Sequence, residues 1–426
     1  MRATIERFWQ GEAASVLRGL AAYGSAEVAN RVVRVFAVII IARRIDATAL
    51  GLAALALSLF ELIRVLAGAG IGQRIVAAAA ADLDATCNRA HRLFWLWCSL
   101  VALVQLLVAA IVAFGFGLGQ SGAMLAVLSG VYLLMPAGLV QVFLLQRARK
   151  LGTTARIGAT QTIADHILTM TLAILWPSAW AIVLPKLLTT PIWLVLVRRA
   201  QHWRANPAAG LAPLSDFVRY GAGVIGSELA TAARMQLGNL VIGATLGVQA
   251  LGTFFFAFGA GLGITSSFVA AFSTVLFPHF CNATTNADRA TRYVRGMLLG
   301  LAVFLPIAFL QVRLAPVYVP ILFGARWASA APLVSILGVA AVPMVLSAAT
   351  TAWLRATERA GTDAAINLAA CIAALGGLAI GAQIGLAGAA YGFVGGLAAI
   401  LVPSSLYFSV RAAMPTLSPS LTEQFA

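Results

Sequence analysis

Charged residues are scarce in this 426-residue chain: Asp, Glu, Lys and Arg together make up 10% of it, whereas 61% of the residues are hydrophobic. A soluble domain carries about 25% charged residues. The mean hydropathy of +0.93 implies more apolar surface than a soluble core can bury, but a bilayer can accommodate it. The scarcity of charge therefore argues against a soluble protein and predicts an all-α polytopic membrane protein.

The residues that usually perform catalysis or bind metals are also few, with 14 acidic residues, four histidines and four cysteines. The cysteines show neither CxxC spacing nor a Cys/His metal pattern. No GxSxG, HExxH or P-loop motif occurs, and the four histidines lie in different segments. We therefore expect a protein that is not an enzyme and that has no cofactor and no bound metal.

Apolar runs of about 20 residues, the length that a transmembrane helix needs, recur along the chain. Twelve candidates follow one another, at 20–42, 47–72, 93–116, 121–145, 157–176, 178–197, 217–242, 248–277, 296–312, 329–352, 364–383 and 387–410. They predict twelve transmembrane helices in two six-helix lobes. The N-terminal lobe covers 1–197, a cytoplasmic linker 198–216 and the C-terminal lobe 217–426.

Basic residues are concentrated in alternate loops. With the N-terminus in the cytoplasm, 20 of the 29 basic residues fall on the cytoplasmic side and only four, Arg43, Arg44, Arg313 and Arg326, on the outer side. This bias is what the positive-inside rule predicts, so both termini are expected to be cytoplasmic. Basic loops facing anionic membrane lipid explain the net charge of +15 without a nucleic-acid partner.

The first predicted span must contain charged residues in order to reach the length of a transmembrane helix. The eight residues after Arg34 rise only about 12 Å as a helix, against a hydrocarbon core of about 30 Å, so the span must include Glu27, Asn30, Arg31 and Arg34. These four lie within about 100° on a helix. A buried Arg costs about 3 kcal/mol, so the face is predicted to line a wet cavity. Two alternatives stay open: a local Glu27–Arg31 pair, which leaves Arg34 unpaired, and an interfacial helix over 1–34.

Other polar residues lie within the second, fifth, sixth and seventh predicted spans. Together with the first span they suggest one polar chamber with an asymmetric lining. For His166 and Lys186, a local hydrogen-bonding role is an equal alternative. The residues are Glu61, Arg64, Gln161, Asp165, His166, Lys186, Glu228 and Arg234.

The two halves of the chain resemble each other at a spacing near 200 residues. SAEVANR at 25–31 aligns with GSELATA at 226–232, and RARKLGTTARI at 147–157 resembles RATERAGTDAAI at 355–366. Six spans separate the copies, so both enter the membrane in the same orientation. Such parallel repeats predict a pseudo-twofold axis along the membrane normal, with a transport pathway between the lobes.

Five stretches in order carry a family resemblance: ALGLAALALSLFELIRVLAGAGIGQRIV, LLQRARKLGTTARIGA, LVIGATLGVQALGTFFFAF, VLFPHF and LFGARWASAAPLV. From about Leu17 to about Arg411 the chain resembles the polysaccharide and O-antigen flippases (Wzx type) of the multidrug/oligosaccharidyl-lipid/polysaccharide superfamily. Many relatives carry an acidic residue just before LVIG, where this chain has Gly238 and Asn239.

The resemblance implies export of a saccharide linked to undecaprenyl pyrophosphate across the bacterial inner membrane, by alternating access. The partners it implies are the lipid-linked glycan and, as candidates, a polysaccharide polymerase and a chain-length regulator. Arginine suits a pyrophosphate because it binds bidentately. The substrate-binding candidates are Arg31, Arg34, Arg64, Lys186, Arg234, Asn30 and Gln161. The candidates for ion coupling or charge pairing are Glu27, Glu61, Asp165, Glu228 and His166.

Two other functions compete with this interpretation. A multidrug exporter driven by protons or sodium would handle organic cations, whereas the predicted membrane-depth charges are five basic and four acidic. A polysaccharide polymerase, ligase or glycosyltransferase needs a catalytic group at the interface. In the longest predicted outer connection, 313–328, the only polar candidates for such a group are Arg313, Tyr318 and Arg326.

Overall fold

The computed structural model describes residues 30–413, except for 68–69, 218–232, 234–235 and scattered positions between 264 and 284. Every regular element in this part of the chain is a helix, which confirms the predicted all-α class. Two compact units divide between Leu240 and Val241. The predicted lobe boundaries at 197 and 217 stay a prediction.

Several predicted spans of the first unit are each divided into two or more shorter helices. The helices of this unit are α1 (30–44), α2 (Ala47–Arg64), α3 (Ile71–Ala77), α4 (Leu83–Ala110), α5 (Gly119–Leu128), α6 (Gly130–Leu134), α7 (Pro136–Arg147), α8 (Leu151–Leu175), α9 (Trp180–Leu188) and α10 (Thr190–Ala200). The start of α2 is fixed by Asp46, whose carboxylate accepts from the Ala49 N–H at 2.7 Å. Such an N-cap satisfies one of the free N–H groups of the first turn.

The described helices that follow are fewer and longer. They are α11 (Gln236–Leu246), which crosses the division point, α12 (Val248–Phe258) with a π-turn at Gly259–Gly263, α13 (Asn286–Phe323), α14 (Ala331–Val339), α15 (Ala341–Ala356), α16 (Ala360–Ala382) and α17 (Leu386–Ala413).

Seven described helical stretches are long and apolar enough to cross a bilayer, and there is an eighth if Gly119–Leu134 and Pro136–Arg147, bent by 57°, form one span. A multi-pass membrane protein is therefore confirmed. Helix α8 has 25 residues, about 37 Å, but Gln161, Asp165 and His166 lower its hydropathy below that of the seven. The full twelve-span, two-lobe arrangement with its pseudo-twofold axis stays a prediction.

Helix α13 continues for 38 residues to Phe323, through Pro306, Pro316 and Pro320, so much of the predicted outer connection over 313–328 is helical. Its place outside the membrane stays a prediction. Proline lacks an N–H, so Pro316 leaves the carbonyl of Val312 without its helical donor. The hydroxyl of Ser335 donates to that carbonyl at 3.2 Å. A neighbouring helix thus replaces the missing donor, as membrane helices allow.

One turn geometry occurs in both units. Arg149 and Glu358, 209 positions apart, are the non-glycine residues with positive φ in the described chain, at 53° and 60°. The next residues, Lys150 and Arg359, donate their N–H groups to carbonyls five positions back, at 3.0 and 2.8 Å. This closure of a helix end around a left-handed residue joins α7 to α8 and α15 to α16. The recurrence supports the internal duplication.

Helices α16 and α17 pack backbone against backbone. A Cβ added at Gly377 would collide with the carbonyl of Gly392, and one at Gly392 with the carbonyl of Gly377; Gly381 and Gly388 are related in the same way. Small residues at a spacing of four let membrane helices approach this closely. Gly385, at φ 109°, makes the turn between them.

We expect Gly392→Leu to destabilise the protein by about 3 kcal/mol or more, because a side chain there must push two helix backbones apart. Gly395→Leu is the matched control, since a Cβ at Gly395 meets nothing within 4 Å. The measurement is the loss of monodisperse protein on heating in detergent. Equal melting temperatures for the two variants would contradict the close packing.

Candidate functional site

An ion pair joins α8 to α9 about midway along α8. The Asp165 carboxylate accepts from the Lys186 ammonium at 2.7 Å; 8% of the Asp165 side chain and 38% of that of Lys186 are exposed. The other carboxylate oxygen, Oδ1, is buried without a hydrogen-bond partner in the described part of the chain. The pair therefore leaves one acceptor position of a buried carboxylate unfilled.

Helix α1 brings a further cation to this pair. Arg34 lies close enough to His166, the neighbour of Asp165, to act on it electrostatically. Gln161 lies one turn before Asp165 on α8, and both it and His166 are partly buried. The structure thus brings Arg34, Lys186, Asp165 and His166 together from three helices. That they line one polar chamber stays a prediction.

Arg34 on α1 has no charge partner among the described residues. Its side chain is exposed, and within the described ranges it forms no ion pair and no hydrogen bond. Arg31 is partly buried and engaged in an interaction. The side-chain oxygen of Asn30 is buried and lacks a described partner. Within the described ranges, Arg34 therefore has no counter-ion.

A second ion pair lies on α2. Arg64 donates from Nε and Nη2 to the same Glu61 oxygen, Oε2, at 2.9 and 2.7 Å. Spacing of three residues puts both on one helix face. The pair is partly exposed, with 31% of the Glu61 side chain and 47% of the Arg64 side chain uncovered by protein. Because Glu61 already neutralises Arg64, this guanidinium is less available than that of Arg34.

Tyr132 and Gln105 form a neutral hydrogen bond next to the Glu61–Arg64 pair, and the sequence did not predict it. Both Glu61 and Arg64 act electrostatically on Tyr132, whose hydroxyl donates to the Gln105 side-chain oxygen at 3.0 Å. The Gln105 amide donates in turn to the carbonyl of Leu125 at 2.8 Å. Both side chains are fully buried. The signal available in the sequence was a lone Gln in an otherwise apolar span.

Three predicted site residues, Glu27, Glu228 and Arg234, lie outside the described residues, so their place in the chamber stays a prediction. Asn239 is described. Its amide donates to the Ser58 hydroxyl of α2 at 3.0 Å. At this position, where the resemblance led us to look for an acidic residue, the chain makes a neutral hydrogen bond.

Comparison with known proteins gives a family and a fold. Residues 40–332 match the sequence profile of a family described as "Polysaccharide biosynthesis protein". No curated protein sequence matches the chain.

Three similar solved structures are all membrane carriers. One is a multidrug resistance transporter of the MATE family in an inward-facing conformation, with 16% identity, a TM-score of 0.69 and coverage of 93% of this chain and 96% of that chain. The second is the lipid II flippase MurJ in an inward closed conformation, with 12% identity, a TM-score of 0.71 and coverage of 91% of this chain and 87% of that chain. The third is a transporter of the same superfamily as the first, from Pyrococcus furiosus and described as having a binding pocket of reversed polarity, with 15% identity, a TM-score of 0.56 and coverage of 93% of this chain and 94% of that chain. At these identities the likeness shows the fold and leaves the substrate open.

We expect Asp165→Asn to lower the thermal stability, because it leaves Lys186 without a counter-ion. The cost should be below the roughly 3–5 kcal/mol of a fully buried pair, since 38% of the Lys186 side chain is exposed. The double variant Asp165→Asn/Lys186→Met removes both charges and should recover most of the loss. A double variant that melts at the sum of the two single losses would show that the residues do not interact.

Proposed function

This chain belongs to the polysaccharide biosynthesis protein family, and from that membership we propose that it is a flippase for lipid-linked saccharides. The proposed cargo is an oligosaccharide on undecaprenyl pyrophosphate, moved across the bacterial inner membrane by alternating access. The lipid tail stays in the bilayer, while the sugar and the pyrophosphate pass along the polar chamber. Both termini are proposed to be cytoplasmic.

Arg34 is the observation that carries this proposal. A membrane helix bears the cost of a guanidinium only where that group faces a cavity or a ligand. Arg34 is exposed and has no charge partner among the described residues, while the carboxylates of Asp165 and Glu61 are each engaged with another cation. Arg34, Lys186 and Asp165 together carry a net charge of +1, which suits an anionic cargo better than an organic cation.

The proposed division of labour follows from these pairs. Arg34, with Arg31 and Lys186, would bind the pyrophosphate, since guanidinium groups bind phosphate oxygens in a bidentate way. Asp165 would hold Lys186 when no cargo is bound. Asn30 and Gln161, which are uncharged, would contact the sugar. Arg234, Glu27 and Glu228 are proposed to complete the lining.

We expect Arg34→Ala to reduce export of lipid-linked sugar at equal protein level. A charge-assisted hydrogen bond contributes about 1.5–3 kcal/mol, so the loss should be roughly tenfold to a hundredfold. Arg34→Lys should recover only part of it, because lysine cannot bind bidentately. Arg44→Ala, on the outer end of the same helix and also exposed, is the control.

Undiminished export in the Arg34→Ala cells would remove this residue from the mechanism. Efflux of cationic dyes from whole cells tests the competing multidrug function. Robust dye efflux that Arg34→Ala leaves unchanged would favour that function over the flippase.

We also expect the membrane potential to drive outward movement, since an inside-negative potential favours export of an anion by about 2.3 kcal/mol per charge per 100 mV. In reconstituted vesicles, a potassium-diffusion potential should accelerate translocation of a labelled lipid-linked saccharide. Transport that responds only to a proton gradient at zero potential would contradict this expectation. It would instead favour proton exchange at Asp165 or His166.

A further inference from the structure

A segment of unit 1 that the sequence predicts to be a linker is fastened to the cytoplasmic end of α4. We call residues 201–217 the strap. The Asn88 amide nitrogen donates to the carbonyls of Asn206 and Gly210 at 2.7 and 3.0 Å, and its oxygen accepts from the Asn206 N–H at 3.1 Å. The side chain is buried, and every hydrogen-bonding position of its amide except one oxygen lone pair is used.

Four further contacts hold the strap along its length. Arg89 donates to the carbonyl of Ala212 at 2.8 Å, and the Ala212 N–H donates to the carbonyl of Ala85 at 3.1 Å. The Asn206 amide donates to Asp84 at 3.1 Å, and Arg74 forms an ion pair with Asp216 at 3.0 Å. These contacts fix the strap to α4 at residues 206, 210 and 212 and to α3 at Asp216.

The strap places an aromatic ring where two basic helix ends meet. Its Trp203 ring lies 5.2 Å from His91 on α4, and His91 meets the edge of Trp95 at 6.3 Å. Arg198, the first basic residue of α10 after its apolar run, lies close enough to His91 to act on it electrostatically. The basic ends of α4 and α10 therefore lie side by side.

Apolar and basic groups are layered in this patch. On α4 the sequence RAHR at 89–92 passes directly into an apolar run, whose first residues include Trp95, 41% exposed, and Leu96, 70% exposed. On the cytoplasmic side, the sequence RRAQHWR at 198–204 adds three arginines and no carboxylate. Trp and Arg at such a boundary are typical of the headgroup level of a membrane.

Arg198 has free donors at this boundary. Its Nε donates to the carbonyl of Ala137 at 3.1 Å, which orients the guanidinium, and no hydrogen bond or ion pair engages its two Nη groups within the described chain. Arg92, Arg199 and Arg204 are exposed around it. The patch thus offers an oriented guanidinium, three further cations, an indole ring and an apolar floor.

We propose that this patch binds the headgroup of an anionic phospholipid of the cytoplasmic leaflet. The arginines would bind the phosphate, Trp203 and Trp95 would lie at the level of the glycerol, and the acyl chains would lie along Leu96. A soluble phosphate would use the cations but would gain nothing from the exposed apolar floor. This inference goes beyond the proposed function, because it concerns a resident lipid on the surface of unit 1 and holds whatever the cargo is.

The test is native mass spectrometry of the full-length protein in detergent with added phosphatidylglycerol. We expect Arg198→Gln and Trp203→Ala each to lower the retention of one bound lipid at least threefold. Arg359→Gln, an exposed cytoplasmic arginine in the second unit, is the control and should retain lipid like the unchanged protein. Phosphatidylcholine should be retained weakly by all four proteins.

Three results would overturn the proposal. One is equal retention of phosphatidylglycerol by Arg198→Gln and the unchanged protein. Another is retention of phosphatidylcholine by the unchanged protein equal to its retention of phosphatidylglycerol, which would mean that the headgroup charge is not recognised. The third is displacement of the lipid by millimolar inorganic phosphate, which would show a general anion site. Unchanged melting temperatures of the variants without added lipid exclude misfolding as the cause of a loss.

Discussion

A charge removed from water must find a counter-charge or a polar cavity, and the buried Asp165 of the first unit finds its counter-charge in Lys186. The Asp165–Lys186 ion pair, at 2.7 Å, fixes α8 against α9 because either group alone would be left uncompensated. The chain around Lys186 is adapted to the same low-dielectric surroundings. Helix α9 ends at Leu188 near Pro185 and Pro191, and the Thr189 and Thr190 hydroxyls donate to the carbonyls of Pro185 and Lys186, each at 2.8 Å. The break thus keeps its carbonyls hydrogen-bonded while the ion pair stays in place.

The ion pairs also indicate which cation could bind an anionic ligand without giving up a partner. A cation that is neutralised within the protein can bind an anion only by giving up its partner, as Arg64 would have to give up Glu61. Arg34 has no such partner in the described part of the chain. It lies near His166, the neighbour of Asp165, whose buried second carboxylate oxygen has no described hydrogen-bond partner. An anionic group that meets Arg34 would also approach Lys186 and compete with Asp165 for it. Binding and release of the cargo would then be coupled to the ion pair that holds α8 against α9.

The sequence predicted contacts within one helix better than contacts between two helices. Helical spacing alone indicated that Glu61 and Arg64 share a face, and the pair is present. By contrast, Asp165 and Lys186 lie 21 positions apart on different helices, and only packing decides that they meet. The family resemblance is confirmed by the profile match over residues 40–332. Gln105 and Tyr132 were missed because a neutral polar side chain in an apolar run gives no charge signal.

Contacts between distant parts of the chain could not be predicted from local composition. The sequence predicted an outer connection over 313–328 and a cytoplasmic linker over 198–216, but not the residues that these segments contact. Ser335 supplies the donor that Pro316 lacks, and Asn88 supplies the bonds that hold the strap. In each case the contact is made by a side chain more than 15 positions away, which the local sequence does not indicate. Whole-chain features, such as the charge bias between loops, do not depend on such contacts.

The second unit shares a turn geometry with the first and contains a buried neutral polar network. In the described part of the second unit, Tyr293, Thr350 and Ser405 form a buried neutral network, with the Tyr293 and Thr350 hydroxyls 3.0 Å apart. Gln311 donates to the carbonyl of Gly261 in the π-turn at 2.6 Å. Neutral networks need no counter-ion and no wet cavity, so this unit can be held by close backbone packing, as at Gly377 and Gly392.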